Sequence, residues 1–428
     1  MIRRYAQHCS MTYPKFIDLA LKRCAGGYLR QQLPAKFDNV IVAMSSGVDS
    51  SVAAALFAGF PNAKGIHMQN WSKSQSLDDP SKEPCYERDW KDVCAVAEHL
   101  NLPVDRVNFE KDYWIDVFEP MLEQYSQGLT PNPDISCNRF VKFGRLCEHL
   151  DRQYGRNNYW LVTGHYARVL RDQKSQDAHL LRGLHREKDQ SYYLSQISPA
   201  VLPQLLLPMG CLTKPEVREV AKALGLPTAA KPDSQGICFV NNSQHGKFKH
   251  FLEHYLPSSR GNVVTVDPDT GKKHVWGQHP GLWSYTIGQK VGISMPQGDP
   301  QYKGAWFVSD KLHHTNEIVI VRGRDHPALF KDALRVDAFL PLGNAHEIRE
   351  AIQSSIHSGS SSSSSSSSGL TMQYRSLQAP VGVASCHWVG DTLTLKLQHR
   401  QRAIAPGQYC CLYLGDRVLG SGVISNVE

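Results

Sequence analysis

Eight consecutive residues, Ala43-Met44-Ser45-Ser46-Gly47-Val48-Asp49-Ser50, limit the fold more than any other stretch of this chain. An apolar run at 40–44 enters them and an alanine-rich helical stretch at 50–58 leaves them, with only small polar residues at the turn. A buried strand that turns directly into a helix is the opening unit of a parallel, doubly wound α/β sheet. The alternation continues, with strand candidates at 65–68, 104–109 and 159–162 between helical stretches at 87–100, 113–125 and 139–150. In 87–100 the residues Trp90, Val93, Cys94, Ala97 and Leu100 fall on one face at helical spacing. Thr213-Lys214-Pro215-Glu216 reads as a capping box opening a further helix, which stops near Gly225-Leu226-Pro227.

Beyond residue 236 the character changes. Glycine, proline and short strand-like pieces dominate 260–323, as in a small separate domain. Residues 358–369 are nearly all serine, cannot build a core and read as a flexible insertion. After it Leu393, Leu395 and Leu397 alternate with polar residues, Pro406-Gly407 makes a turn and 409–414 gives another strand, a pattern that suits a small β-barrel.

With 428 residues the chain needs two or three domains, and no apolar run approaches membrane-spanning length. A net charge of +7 suits an anionic partner. The 11 cysteines are odd in number and include no CxxC pair, so a reducing compartment is expected, without a cluster-binding motif. Cys24, Cys94, Cys147, Cys211 and Cys386 lie in helix- or strand-like contexts and read as buried. The first 34 residues carry six Lys or Arg against the single acid Asp18, a transit-peptide composition. A basic tail on a cytosolic enzyme is the other reading of that segment.

Small residues at 43–50 let backbone N–H groups and serine hydroxyls approach phosphates, and a helix N-terminus adds favourable potential. The stretch lacks both the lysine of a Walker loop and the GxGxxG of a dinucleotide fold. Asp49 suits a magnesium ion, a hard cation that prefers carboxylate and phosphate oxygens. The octapeptide resembles the PP-loop of ATP pyrophosphatases, SGGxDS, which split ATP between the α and β phosphates to adenylate a substrate. Here Ser46 stands where that pattern has glycine. A left-handed backbone would cost serine roughly 1–2 kcal/mol, so a conformation compatible with serine is expected.

Four further motifs follow in order. They are Asn132-Pro133-Asp134 with Cys137-Asn138, Thr163-Gly164-His165-Tyr166-Ala167-Arg168, Lys188-Asp189-Gln190-Ser191-Tyr192-Tyr193-Leu194, and Asp233-Ser234-Gln235-Gly236-Ile237-Cys238-Phe239. With the loop, they resemble the tRNA-specific 2-thiouridylases from about residue 37 to the end, and the basic leader and serine tract resemble the mitochondrial form. The resemblance implies a targeting segment at 1–34, a PP-loop (adenine nucleotide hydrolase-like) catalytic domain at 35–240, a small central tRNA-binding domain at 241–328 and a C-terminal β-barrel at 329–428.

It also implies ATP and Mg2+ at Ala43, Met44, Ser45, Ser46, Gly47, Val48, Asp49, Ser50, Met68 and Gly164. Asp134 matches an acid or base beside the target uridine; a turn cap is its other role. Cys238 matches the persulfide carrier and Cys137 the cysteine that releases the sulfur, at a helix start where thiolate is favoured. Contacts to tRNA fall on Asn132, Pro133, Asp134, His165, Lys188, Asp189, Gln190, Gln373, Tyr374, Arg375 and Gln408. The substrates so implied are the lysine, glutamate and glutamine tRNAs, the donor a persulfide or sulfur-relay protein, the place the mitochondrial matrix. Two rivals share the loop: an amine-using PP-loop enzyme such as an amidating synthetase or lysidine synthase, and a tRNA-binding protein without catalysis.

Overall fold

The computed structural model describes residues 26–71, 85–233, 247–293, 295, 300, 302–359 and 369–428. They form two compact units. The first takes the described residues up to Val117, those from Asp134 to 233, and Asp416–Leu419; the second takes Phe118–Pro133, those from 247 to Gly415, and Gly420–Glu428.

The first unit contains a short strand β1 (Tyr28–Leu29), β2 (Asn39–Ala43), α1 (Val48–Phe57), β3 (Ala63–Gln69), α2 (Cys85–His99) and β4 (Val104–Asn108). Then come a long helix α3 (residues 133–154), β5 (Tyr159–Val162), β6 (Ala167–Asp172), β7 (Ala178–Arg182), β8 (Leu205–Leu206) and α4 (Lys214–Ala223). Strands β4-β3-β2-β5-β8 form one five-stranded sheet. Every pairing in it is parallel, as the alternation predicts. Both faces of such a sheet are covered, so β2 and β5 read as continuous apolar runs. Val40, Val42, Val52, Phe57, Val162 and Leu206 join one buried cluster. β1, β6 and β7 make an antiparallel ribbon, and Arg417 pairs opposite Leu181 of β7.

α3 consists of Pro133–Ser136, then Cys137–Arg145 in wide π turns, then Leu146–Tyr154. The helix therefore opens before residue 139, and Cys137 sits one turn inside it rather than at its start. In the wide turns a Cβ on Gly144 would meet the Arg139 carbonyl at 2.9 Å, a clash that glycine avoids. The capping box on α4 is present, Thr213 accepting from the Glu216 amide, and Gly225 follows the helix with φ +64.

In the second unit β9 (Gly261–Val266), β10 (Lys273–His279), β11 (Trp306–Leu312) and β12 (Glu317–Arg322) form a sheet of order β10-β9-β12-β11. The remaining strands are β13 (Phe330–Pro341), β14 (Leu370–Gln373), β15 (Val381–Val389), β16 (Thr392–Arg402), β17 (Tyr409–Leu414) and β18 (Arg417–Val427). The ring β13-β16-β15-β14-β17-β18 returns to β13 and closes a six-stranded barrel with no free edge. Leu393, Leu395 and Leu397 all point into it, as their alternation predicts.

Cys211 is buried, whereas Cys94, Cys147 and Cys386 are only half-buried, which corrects the expectation for those three. Each lies inside its helix or strand, next to an exposed residue in the chain. Cys24 and Cys238 lie outside the described residues.

Candidate active site

β2 ends at Ala43, and α1 begins after Gly47 with no side chain capping it. The first amides of α1 thus face the C-terminal edge of the sheet, where open α/β folds bind ligands. The turn is held from within: Ser50 Oγ accepts from the Ser45 amide at 3.1 Å and donates to the Gly47 carbonyl at 3.0 Å. Ser51 Oγ donates to the same carbonyl at 2.9 Å. Met44 is buried and Met68, near the end of β3, half-buried. At Gly164 an added Cβ would stand 2.8 Å from the Ser50 nitrogen and 2.9 Å from the Asp49 carbonyl carbon, so only glycine lets this segment lie against the start of α1.

Ser46 has φ +63, which overturns the expected ordinary backbone. The left-handed turn is required to swing the chain from β2 into α1, and side-chain bonds offset its cost. Ser46 Oγ donates to Asp89 at 2.7 Å and accepts from Lys231 Nζ at 3.0 Å. Lys231 also binds Asp92 at 2.6 Å. Asp49 accepts from Tyr166 Oη at 2.7 Å and from Lys214 Nζ at 2.7 and 2.8 Å. Burial, reinforced by the Asp49 charge, holds the Tyr166 hydroxyl protonated far above the ordinary tyrosine range.

The loop that carries no lysine of its own thus has two, both supplied from beyond residue 210. Sequence reading missed Lys231, Asp89 and Thr228, whose hydroxyl bonds Ser51 at 2.8 Å, because contacts across 43 to 185 residues leave no local trace. For Lys214 a signal existed. It occupies the first position of α4, where the helix dipole disfavours a cation, so an acid had to be waiting for it.

Residues 163–166 link this loop to α3. Gly164 lies on the Ser50 backbone and Tyr166 bonds Asp49, while the His165 ring lies 5.7 Å from that of Phe143 on the π turns. Thr163 Oγ1 and His165 Nδ1 are 2.7 Å apart. Burial, helped by Lys142, lowers His165 to about 3, so the imidazole is neutral at physiological pH. Burial raises the carboxyl of Asp134, partly opposed by the same Lys142. Cys137 is 3% exposed, one helical turn beyond Asp134. Asn138 donates to the Asp134 carbonyl at 2.8 Å, while its own buried oxygen has no hydrogen-bond partner among the described residues.

Lys188 binds Asp233 at 2.9 Å and is partly exposed. Asp189 is buried, accepting from the Gly183 and Ser191 amides and from Arg182. The Gln190 side chain accepts from the Tyr166 amide at 3.0 Å. In the second unit Gln373 is buried, accepting from Tyr413 Oη at 2.6 Å and donating to the Gln378 carbonyl. Tyr374 is buried beside exposed Arg375. Gln408 donates to the Thr130 carbonyl at 2.8 Å and so steadies the segment that carries Asn132 and Pro133. Burial, with Arg324 and Arg375 nearby and partly opposed by Asp325, lowers Arg402, a neighbour of Arg375 that sequence reading did not name.

A cavity of about 710 Å³ lies at the opposite end of the sheet, lined by Asp38, Asn39, Tyr159 and Trp160 at the starts of β2 and β5. It is apart from the loop and takes no part in the site.

A parallel sheet with an uncapped helix start and bound-in lysines defines a nucleotide-using domain of the HUP class, and the comparisons agree. Residues 38–242 match the model of the tRNA methyl transferase HUP domain, 249–322 the tRNA methyl transferase PRC-barrel domain and 349–424 the aminomethyltransferase beta-barrel domain. The chain is 65% identical over 97% of its length, and 98% of the relative's, to mitochondrial tRNA-specific 2-thiouridylase 1 of Saccharomyces cerevisiae. It is 35% identical to the enzyme of that name in Schizosaccharomyces pombe, covering 93% of each chain. It is 36% identical to the tRNA-specific 2-thiouridylase of Haemophilus influenzae, covering 90% of this chain and 92% of that one. The chain belongs to the tRNA-specific 2-thiouridylase family.

Proposed function

We propose that this protein is an ATP-dependent tRNA-uridine 2-sulfurtransferase acting on the wobble uridine of lysine, glutamate and glutamine tRNAs in the mitochondrial matrix. The observation that carries the reading is residues 163–166, which touch both the phosphate-binding loop and the helix bearing Asp134 and Cys137. Nucleotide activation and thiol chemistry are thereby held on one rigid frame. Family membership and the name of the yeast mitochondrial relative support the substrate and the compartment.

ATP would sit on Ala43 to Ser50, Met68 and Gly164. Among the described residues no cluster of three or more His, Cys, Asp or Glu could hold a metal alone. That suits Mg2+, which would be held by phosphates, water and Asp49 and would supply charge neutralisation. The C2 oxygen of uridine attacks the α phosphorus and pyrophosphate leaves. The terminal sulfur of a Cys238 persulfide then attacks C2, and AMP departs with the oxygen. Cys137 thiolate attacks the Cys238 sulfur, forming a Cys137–Cys238 disulfide and freeing 2-thiouridine. Asp134, raised by burial, is suited to hold or return the proton at the base. Lys188, Arg375 and Asn132 would contact tRNA with His165, Tyr374 and Gln408, while Asp189, Gln190 and Gln373 hold the backbone that presents them. A thiol reductant would first open the Cys137–Cys238 disulfide, and a persulfide or sulfur-relay protein would then pass its outer sulfur to the freed Cys238 thiolate.

Mass spectrometry of nucleosides after incubation with unmodified tRNA, ATP, Mg2+ and a persulfide source tests this. The expected products are 2-thiouridine and AMP, with both Cys137→Ser and Cys238→Ser unable to thiolate. Release of ADP, or full thiolation by Cys238→Ser, would refute it. A fusion carrying residues 1–34 should reach the mitochondrial matrix.

A further inference from the structure

Strand β11 does not alternate evenly. Its pairing with β12 slips by one residue between Val308 and Asp310, so that Trp306, Val308 and then Lys311 are the buried positions. A bulge of this kind re-aims the side chains that follow it. Even alternation would instead turn Asp310 inward and leave Lys311 on the more open side with Phe307 and Ser309. Lys311 is 8% exposed, and burial alone lowers its ammonium to about 8. Among the described residues its Nζ has one acceptor, the Gly128 carbonyl at 2.7 Å, and no carboxylate offsets the lost water. Such a charge is a poor way to hold a sheet together, because a methionine of similar length would fill the space without desolvation.

What the ammonium grips is the start of a short connection. Gly128 follows the helix Glu119–Ser126 with φ +72, and an added Cβ would stand 2.9 Å from Leu282 and 3.0 Å from His313. Only glycine brings this carbonyl so close to β11. Two residues on, the Thr130 amide donates to the Pro406 carbonyl at 2.9 Å, and the Thr130 carbonyl accepts from Gln408 at 2.8 Å. The connection is thus fastened to the central sheet at Gly128 and to the barrel at Thr130. Asn132 and Pro133 come directly after.

We propose that Lys311 is a positioning residue for tRNA recognition, which holds the Gly128 carbonyl while the barrel holds Thr130 and so sets the place of Asn132 and Pro133. The inference rests on the reading of those two residues as tRNA contacts. It deepens that reading by naming the side chain of the central domain through which they are placed.

The test uses the full chain and an unmodified lysine tRNA transcript, with affinity read by fluorescence anisotropy at one fixed salt concentration and stability by thermal unfolding. Lys311→Met should weaken tRNA binding about fivefold or more, the loss expected when one hydrogen bond no longer fixes the contact. It should nevertheless melt within about 2 °C of the wild type or above it, since a buried charge has been removed. Asn132→Ala should also weaken binding, and adding Lys311→Met to it should change the affinity by less than about twofold, because the contact being placed is already gone. Additive losses in the double variant, unchanged affinity in Lys311→Met, or a Lys311→Met protein that unfolds or melts several degrees lower would each overturn the proposal, the last by making Lys311 a structural residue. Wild-type affinity in Asn132→Ala would instead remove Asn132 from the tRNA contacts, a distinct failure.

Discussion

Replacing Gly164 by alanine should disable the nucleotide site without touching any group that does chemistry. The added carbon would stand 2.8 Å from the Ser50 nitrogen, 2.9 Å from the Asp49 carbonyl carbon and 3.1 Å from the Ser50 Cα. Ordinary contact begins near 3.4 Å, so the first turn of α1 must retreat by up to about half an ångström. All three neighbours are backbone, and none can rotate away. Overpacking of this kind costs about 1–3 kcal/mol. The retreat moves the amides proposed above to face the phosphates, so a similar loss should appear in binding, roughly 5- to 100-fold in ATP affinity. Calorimetric titration with ATP and thermal unfolding with and without nucleotide would measure both. Gly59→Ala is the control, since a Cβ there meets nothing within 4 Å. If Gly164→Ala bound ATP within twofold of wild type and melted at the same temperature, the close-approach argument would be wrong.

Two further predictions follow from the same neighbourhood. Ser46→Gly relieves a left-handed backbone worth about 1–2 kcal/mol while losing hydroxyl bonds worth about 1 kcal/mol, so its stability should match or slightly exceed wild type. Ser46→Ala keeps the strain and loses the bonds; an alanine variant as stable in urea as the glycine variant would refute this. His165 is held at about 3 in the folded chain against an ordinary 6.5, so the unfolded chain binds more protons between those values. Stability should therefore be full above pH 6.5 and fall as the pH drops towards 3. A His165→Gln protein should show a shallower slope over that window in urea midpoints, and a steeper one would count against the assignment.

The parallel sheet was legible because β2 and β5 are buried on both faces and read as unbroken apolar runs, and the barrel because Leu393, Leu395 and Leu397 alternate. The capping box was legible because its two bonds lie within four residues. What stayed hidden depends on distance or on backbone detail. The π turns at Cys137–Arg145 keep a helix-like apolar pattern, so nothing distinguishes them from an α-helix in one sequence. The left-handed Ser46 was hidden because its compensating partners, Asp89 and Lys231, are 43 and 185 residues away. Motif resemblance pointed to the loop, to Asp134 and to two cysteines, of which only Cys137 lies among the described residues, but not to Lys214 and Lys231, which bond the loop's side chains.

The partner of Arg168 bears on how the protein is made. This arginine is 1% exposed on β6 and donates to Asp416 at 2.7 Å, across 248 residues of chain, and the exposed Arg186 donates to the same carboxylate at 2.6 Å. A ribosome therefore finishes the parallel sheet of the first unit long before it delivers the carboxylate that neutralises an arginine inside that unit. Asp416 is partly exposed, so removing it costs less than the roughly 3–5 kcal/mol of a fully buried pair, but it takes from Arg168 the carboxylate that balances its buried charge. A nascent chain halted short of residue 416 would carry every residue of the loop at 43–50 and yet be a less settled domain, more exposed to proteases. Residues 416–428 thus act as a seal on the first unit, and a chain stopped just before residue 416 should accumulate to a lower level.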